Sequence, residues 1–566
     1  MMLLVPFSYS QLFPGKETPA IDELLQHIPS RIVLVVLSYI NHHLYLRTSE
    51  DKIFDFLARN WSDKVKNGIL AAATVAARKA GHQPTFFSPW LVMEFIKQEL
   101  LNWREFEYQH PDTTPDDELK IFIAYLVSVD RTIFENQDKL TGSKANPITH
   151  FFEFTWPSLV QQYEFTTELN PIFQALKTNA FLEEMLKLPE FSTSVREYLA
   201  DYGFDTPWTF VSGYIDIIKA AIHKENRVEL PLLNIPIDHP YRQIIERRVI
   251  DPEEYAANKR DQIRYAGIRK QPLFHFEDNA FLVSNWNFLY SQLGIGVTFD
   301  LFYRSKTLRK AYGDIPTFRS FIGKHVSEEI IFQSLLKFAY SKNKYDVLHL
   351  GEKDEYPDGY LRQGNSIFIF EYKDVLFADA ITEAATFADI TATVREKFLK
   401  NAEGKPKGVQ QIANHIEYLS KAEFGFDHFT QKHRRQSVDI YPVIVYSHDQ
   451  FSMPGVNHWL NEQAASLLQG FPFRSVKPVT LISESYLFNF LKMFREHRLK
   501  DILNDYYKTL QSINRKFERT GKFTYLVNRY GSIEDIRSSF EKGNSFKDLK
   551  RSETMEILDA FKVPYL

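Results

Sequence analysis

Apolar residues recur at helical spacing through most of the first 200 residues. Residues 32–40 form an apolar run, residues 69–80 are rich in alanine, and residues 91–101 repeat the helical spacing. A polar break with Gly and Pro at residues 142–147 separates helical stretches. Because apolar positions three and four residues apart share one helix face, the pattern predicts a helical region over residues 1–200.

The hydrophobic period changes after a connector that is rich in proline near residues 230–240. Residues 273–276 and 281–283 are apolar and flank the polar stretch Glu-Asp-Asn-Ala, which predicts a β-hairpin. Residues 297–299 are a further candidate strand. We therefore expect a mixed connector rather than a continuation of the helical region.

Between residues 327 and 510, segments with the helical spacing of apolar residues alternate with segments that have the two-residue spacing of strands. Ser327 is a candidate N-cap for a helix that runs through Phe338. The apolar patterns predict strands and helices in the order α-β-β-β-α-α-β, followed by helices, which favours a three-layer α/β core with a mixed sheet. The predicted strands are residues 345–350, 356–361, 366–373 and 438–446, and the later predicted helices are residues 378–399, 409–419, 459–468 and 486–510.

The chain has 566 residues, enough for several domains. We expect an α+β multidomain protein that begins with a helical N-terminal domain. The predicted boundaries are 1–200 for the helical domain, 201–315 for the connector with the hairpin, 316–490 for the α/β core and 491–566 for a helical C-terminal segment.

The amino-acid composition excludes several kinds of site. The chain has no cysteine, which excludes thiolate zinc sites, iron–sulfur clusters and a cysteine nucleophile. Its 68 basic and 72 acidic residues give a net charge of −4, so a phosphate-binding surface has to be local. The apolar run at residues 32–40 is too short to span a bilayer. We therefore expect a cytoplasmic protein without a membrane partner.

The segment that carries candidate chemistry is the predicted strand 366–373. Side chains alternate along a strand, so Ile367, Ile369, Glu371 and Lys373 share one face. An acid and a base therefore project from the end of an apolar strand, and burying both is costly unless they have partners or a function.

The register of the hairpin decides whether a second carboxylate joins them. A two-residue turn at 363–364, or a four-residue turn over 362–365, would place Asp358 opposite Ile369, on the face of Glu371 and diagonal to it. A three-residue turn would send Asp358 to the other face and break the site.

Two carboxylates on rigid strands suit a hard divalent cation such as Mg²⁺ or Mn²⁺. Such a cation polarises a phosphodiester and lowers the pKa of a bound water. Lys373 can then orient the water or offset the charge that develops in the transition state. Asp374, which follows directly, is an extra acid that competes for the metal or caps the strand.

The Pro-Asp pair that ends at Asp358, the apolar strand and the run Glu371-Tyr372-Lys373 resemble the signature of the PD-(D/E)xK nuclease superfamily. The order of elements over about residues 316–490 also resembles its restriction-endonuclease-like core. The resemblance implies that Asp358, Glu371 and the backbone carbonyl of Tyr372 bind Mg²⁺ or Mn²⁺, and that Lys373 positions the attacking water.

The same resemblance implies two further site residues. An acid from the helix before the first strand fits Glu329, with Glu328 as the competing choice. A Gln on the helix after the lysine strand fits Gln411, with Gln410 as the alternative. His415 lies one turn beyond Gln411 on the same helix face, where it either approaches the phosphate or fills a structural role.

By resemblance, we expect a metal-dependent nuclease that cuts DNA in preference to RNA. Its architecture is similar to that of prokaryotic restriction and phage-defence effectors, and the helical N-terminal region would bind a partner protein or a second copy of the chain. The alternative is a catalytically inactive protein of the same fold that binds nucleic acid or acts as a scaffold. A third interpretation is a helical structural protein in which the motif arises by chance.

Overall fold

The computed structural model describes an α+β protein that is 60% helical and contains a mixed multi-stranded sheet. The predicted break at residues 142–147 lies outside the described residues. Across the part of the chain that is described, no helix combines the length and the apolar character needed to cross a membrane. The described residues are 6–80, 84–110, 113–140, 151–166, 169–222, 230–351, 355–384, 386–536 and 538–564.

The described residues up to 200 contain helices, as predicted, and a further helix over Pro207–Ile222 extends the helical part into the predicted connector. The bounds of these helices are α1 (Tyr9–Leu12), α2 (Ile21–Leu25), α3 (Ser30–Tyr45), α4 (Glu50–Leu57), α5 (Asp63–Ala80), α6 (Pro89–Leu101), α7 (Pro115–Leu140), α8 (Phe151–Thr166), α9 (Pro171–Lys187), α10 (Pro189–Ala200) and α11 (Pro207–Ile222).

The connector contains the predicted hairpin within a small antiparallel sheet. Its strands β1 (Leu232–Asn234), β2 (Leu273–Glu277) and β3 (Ala280–Val283) lie in the order β1-β3-β2. The helices of this region are α12 (Arg242–Glu246), α13 (Pro252–Ala257), α14 (Ala266–Lys270), α15 (Trp286–Ser291), α16 (Ile295–Arg304), α17 (Lys306–Tyr312) and α18 (Ile315–Ile322).

The candidate strand at residues 297–299 is wrong, because these residues lie inside α16. Val297, Leu301 and Phe302 are buried on one side of that helix. Their spacing is helical, and a short apolar run alone does not distinguish a strand from a buried helix segment.

The predicted N-cap at Ser327 is also wrong. Helix α18 continues without a break into a π-helical segment (Gly323–Phe332) and then into α19 (Gln333–Tyr340), and Ser327 lies within the π-helical turns. Buried Ile322, Val326 and Ile331 keep one apolar side continuous across the join, so packing favours a single helical rod. π-helical turns are uncommon and occur frequently at functional sites.

The large sheet has six strands in the order β4-β5-β6-β7-β8, with β9 also paired to β7. Pairs β4–β5 and β5–β6 are antiparallel, whereas β7 runs parallel to β6, β8 and β9. The predicted mixed sheet is therefore present. Its strands are β4 (Val347–Leu350), β5 (Gly359–Gln363), β6 (Ser366–Lys373), β7 (Asp439–Tyr446), β8 (Ser475–Val476) and β9 (Thr480–Ser483).

Two of the predicted helices after β6 are each divided into shorter helices in the structure. Residues 378–399 form two helices, because Thr386 accepts a hydrogen bond from the amide of Asp389 and caps the second. Residues 486–510 are interrupted twice, at Phe490 and at residues 497–498, where the backbone leaves the helical region. The helices are α20 (Asp379–Ala384), α21 (Phe387–Phe398), α22 (Val409–Lys421), α23 (Val456–Ala464), α24 (Glu484–Asn489), α25 (Leu491–Glu496), α26 (Leu499–Thr520), α27 (Phe523–Asn528) and α28 (Arg551–Ala560), with 3₁₀ turns at Phe429–Gln431, Arg435–Ser437, Asp449–Ser452, Ala465–Leu468 and Phe546–Asp548.

Helices cover both faces of the large sheet. On one face, Phe368 and Phe370 of β6 pack in a cluster with Phe332 of the π-helical segment. On the other face, Ile367 and Ile369 pack in a separate cluster with buried residues of α22. Strand β6 is therefore buried on both sides, which explains its continuous apolar sequence.

The hydrophobic clusters cross the predicted domain boundaries. One cluster includes buried residues from 173 to 563. Within it, the rings of Phe173 and Phe488 stack with centroids 4.4 Å apart. The side-chain amide of Asn179 also donates to the carbonyl of Phe561 over 3.0 Å. The helices after residue 170 and the C-terminal helices thus share one core with the sheet.

Candidate active site

The β5–β6 hairpin brings the candidate carboxylates together. Its turn consists of Gly364 and Asn365, since Gln363 pairs with Ser366. Gly364 has a φ of +64°, which glycine adopts without the strain that a Cβ would impose. A glycine at the first position of a two-residue loop is typical of type II′ hairpins.

This register differs from the predicted one by two residues. Gly359 pairs with Phe370, so Asp358 lies one residue beyond the ladder, beside Glu371 rather than opposite Ile369. Because the side-chain period of a strand is two, the shift keeps Asp358 on the face of Glu371. The two carboxylates are direct neighbours instead of diagonal ones.

Lys373 lies between these two carboxylates. Its Nζ is 2.9 Å from Oε2 of Glu371 and 3.9 Å from Oδ2 of Asp358. The side chain of Glu371 is only 1% exposed, that of Lys373 14% and that of Asp358 20%. The structure therefore brings all three motif side chains to one partly open spot at the end of β6.

Tyr372 contributes its backbone to the same spot. Its amide donates to Oδ2 of Asp358 over 2.7 Å, which fixes the carboxylate against the strand end. Its side chain points to the other sheet face, where the hydroxyl donates to Oε2 of Glu484 over 2.8 Å. The role of the Tyr372 carbonyl as a metal ligand stays a prediction.

The helix acid at the site is Glu328 and not Glu329. The carboxylate of Glu329 is 41% exposed and contacts Nδ1 of His325 at 3.1 Å. The charge of Glu328, in contrast, acts on Lys373, Glu371 and Asp358. Both acids lie within the π-helical segment.

Helix α22 presents a histidine to the site instead of a glutamine. The side chain of Gln411 accepts a hydrogen bond from the Gly408 amide over 2.8 Å and so caps its own helix. Gln410 bonds to Asn414 on the exposed side. One turn further along, Nε2 of His415 lies 3.3 Å from Oε1 of Glu371.

The extra acid Asp374 turns away from the carboxylates. It accepts a hydrogen bond from Oγ of Ser447 over 2.6 Å and pairs with Arg319 at 3.3 Å. Its side chain is therefore engaged on the far side of the strand end.

Burial and charge set the protonation of the three motif residues. Burial and the charge of Glu371 hold the pKa of Asp358 well above its usual value. Burial also acts to raise the pKa of Glu371, but Lys373 and His415 hold it below its usual value. Burial acts to lower the pKa of Lys373, but Glu371 and Asp358 raise it. The arrangement therefore favours a Glu371–Lys373 ion pair beside a carboxyl that gains a proton easily.

Burial likewise raises the pKa of Glu328 to about 7, with Lys373 acting to lower it and Glu371 to raise it. Carboxyl groups with different proton affinities at one spot are typical of acid–base sites.

Comparisons of this chain with protein-family models, curated proteins and solved structures find no match.

The donor set is compatible with a hard divalent cation. Within the described ranges, no three His, Asp or Glu side chains are arranged to hold a metal ion. Mg²⁺, however, is usually held by one or two protein carboxylates and completes its shell with waters and substrate phosphate. Asp358 and Glu371 provide such a pair, and burial together with the charge of Glu371 raises the pKa of Asp358, an effect that a bound cation would oppose.

His415 is a residue whose role the sequence left open, and the structure places it at the site. Its sequence signal was its position one turn after Gln411 on the same helix face. The structure brings Asp358, Glu371, Lys373 and His415 together, and the charge of Glu328 acts on the first three. It leaves Glu329, Gln410 and Gln411 outside.

Proposed function

We propose that this protein is a metal-dependent nuclease that hydrolyses phosphodiester bonds, with DNA as the preferred substrate. The observation that carries the proposal is the meeting of Asp358, Glu371 and Lys373 at one partly open strand end, with the ammonium 2.9 and 3.9 Å from the two carboxylates. Burying two acids and a base there destabilises the fold, and a catalytic role would explain why the chain has them.

The roles follow from the contacts. Asp358, Glu371 and the carbonyl of Tyr372 would hold Mg²⁺ or Mn²⁺, which when bound polarises a phosphodiester and acidifies water. Lys373 stays charged and donates hydrogen bonds to the attacking water or to the phosphate oxygens. His415 holds the second oxygen of Glu371 and so fixes the direction of that carboxylate.

A restriction-endonuclease-like core is part of the proposal. The order β4-β5-β6-β7, with an antiparallel hairpin followed by a parallel strand and helices on both faces, supports it. The net charge of −4 makes affinity for nucleic acid modest and strongly dependent on salt. We further propose a role in prokaryotic restriction or phage defence, with the helical N-terminal region binding a partner protein or a second copy of the chain.

The test is cleavage of plasmid DNA, single-stranded DNA and RNA at low salt with Mg²⁺ or Mn²⁺. The wild type is compared with Asp358→Asn and Lys373→Met, and Lys421→Met is the matched control because Lys421 is 71% exposed on α22. We expect metal-dependent cutting that is lost in the two site variants and kept in the control. Cutting that persists in both site variants would reject this centre.

A second candidate function is nucleic-acid binding without catalysis. One observation favours it: both oxygens of Glu371 are engaged, one by Lys373 and the other by His415. A calorimetric titration with MnCl₂ separates the two proposals. Heat of binding that disappears in Glu371→Gln supports the nuclease, whereas no heat together with salt-sensitive DNA binding supports the scaffold.

A further inference from the structure

A cavity of about 720 Å³ lies beside the large sheet, at the carboxyl ends of its parallel strands. Asp374 follows β6, Ser447 follows β7, and Ser485 lies just after β9, and all three line it. In open α/β sheets, ligands bind in the crevice outside the carboxyl ends of the strands. Neither Asp358, Glu371 nor Lys373 lines this cavity.

Four polar atoms of its lining residues have no hydrogen-bond partner among the described residues. They are Oγ1 of Thr178, Nε of Arg248, Nδ1 of His448 and Oδ1 of Asp449. Thr178 is 2% exposed, Arg248 6% and Asp449 9%. A buried polar atom without a partner costs about 1–3 kcal/mol, and such exceptions on four residues around one cavity are a feature of functional sites.

The mouth of the cavity carries the charges that favour an anionic group. Arg260 and Lys270 are exposed at its mouth and form no ion pair within the described chain. Deeper in, Arg269 and Arg319 are paired with acids that also line the cavity, so the charges of the interior compensate one another. Burial and the charges of Arg269 and Arg319, together with Lys177, lower the pKa of His448 to about 3. An incoming phosphate would therefore meet the uncompensated cations at the mouth of the cavity.

The rest of the lining favours a flat, partly polar body. Phe181 and Phe377 are buried, while Phe299 and Tyr303 are partly exposed, so aromatic surface extends from the mouth inward. Amides of Gln174 and other residues can exchange hydrogen bonds with ring nitrogens and carbonyls. The volume lies within the range of about 300–1,000 Å³ that holds small organic ligands, and it exceeds what one inorganic anion needs.

We propose that this cavity binds a nucleoside phosphate, with the phosphates at Arg260 and Lys270 and the base against the aromatic wall. This second site is independent of the carboxylate centre. It holds whether or not that centre cleaves nucleic acid.

The test is isothermal titration of the full chain, in buffer with EDTA, with ATP, GTP, CTP, UTP and inorganic tripolyphosphate as probes. We expect at least one nucleoside triphosphate to bind at least tenfold more tightly than tripolyphosphate. The double variant Arg260→Ala/Lys270→Ala changes exposed residues only and should weaken binding at least fivefold. Lys259→Ala, the exposed neighbour that does not line the cavity, is its matched control.

Two further variants test whether the ligand binds inside the cavity. Thr298→Trp should block the cavity and abolish binding, and Thr178→Val should weaken it by removing one unpartnered hydroxyl without a change of size. Glu371→Gln should leave binding unchanged. The proposal is overturned if no nucleotide binds, if tripolyphosphate binds equally well, or if Glu371→Gln abolishes binding while Thr298→Trp does not. Circular dichroism of each variant shows that it is folded.

Discussion

Nε2 of His415 lies 3.3 Å from Oε1 of Glu371, so helix α22 is tied to the end of strand β6 through a buried carboxylate. The opposite oxygen of Glu371 contacts Lys373 at 2.9 Å. A carboxylate held from both sides keeps one orientation, and that rigidity is what a preorganised site requires.

Replacing His415 should therefore impair the site more than replacing Gln411. We expect His415→Ala to lower nuclease activity and metal affinity by about 10–100-fold, the usual effect of losing a group that orients a metal ligand. His415→Asn should restore part of both. Gln411→Ala removes only the helix cap, so it should cost about 1 kcal/mol of stability and leave the activity unchanged. Cleavage rates and Mn²⁺ titrations measure both effects, and equal losses in the two alanine variants would contradict this assignment.

The adjacent acids Glu328 and Glu329 allow one substitution to serve as the control for the other. Because Glu328 interacts with the charges of Lys373 and Glu371, Glu328→Gln should reduce cleavage on the order of tenfold or more. Glu329→Gln changes an exposed contact with His325 and should have no effect. A loss of cleavage confined to Glu329→Gln would show that the helix is rotated relative to this structure.

Lys373 should also be important for stability. Lys373→Met leaves the buried Glu371 charge without its ammonium partner, so the free energy of unfolding should fall by about 3 kcal/mol. Adding Glu371→Gln removes that isolated charge and should restore most of the loss. Urea unfolding followed by tryptophan fluorescence gives both values. If the two substitutions destabilise the protein additively, the side chains do not interact as described.

The raised pKa of Glu328 makes stability depend on pH with a definite sign. The carboxyl ionises near 4.5 in the unfolded chain and near 7 in the folded protein. Between these values the folded state holds a proton that the unfolded state has released, so this contribution is complete below pH 4.5 and is lost as the pH rises through 7. Wild type should lose on the order of 2 kcal/mol more than Glu328→Gln between pH 5 and pH 8. The free energy of unfolding of the two proteins is measured by urea unfolding at each pH. If it changes with pH equally in both, Glu328 is not the source of the pH dependence.

The motif on β6 was predictable because it depends on short-range geometry. Alternation along a strand places Glu371 and Lys373 on one face whatever the rest of the fold does. Asp358 reached the same face even though the turn lies at Gly364-Asn365, because every even shift of register preserves the face.

The missed assignments have local causes that the apolar pattern did not resolve. Glu328 and Glu329 are neighbours within π-helical turns that no local pattern predicted. Gln411 matched the family pattern, but the amide of Gly408 competes for its side chain. The apolar run at residues 297–299 was too short to distinguish a strand from a helix.

The contact between Asn179 and the carbonyl of Phe561 has a consequence for synthesis of the protein. The partners are 382 residues apart in the chain. A ribosome adds about 5–20 residues per second, so roughly 20–80 s separate the appearance of the two residues. During that interval the apolar surface of helix α9 lacks its C-terminal partners. Exposed apolar surface of this kind makes an incomplete chain prone to aggregation until the partner segment has been synthesised.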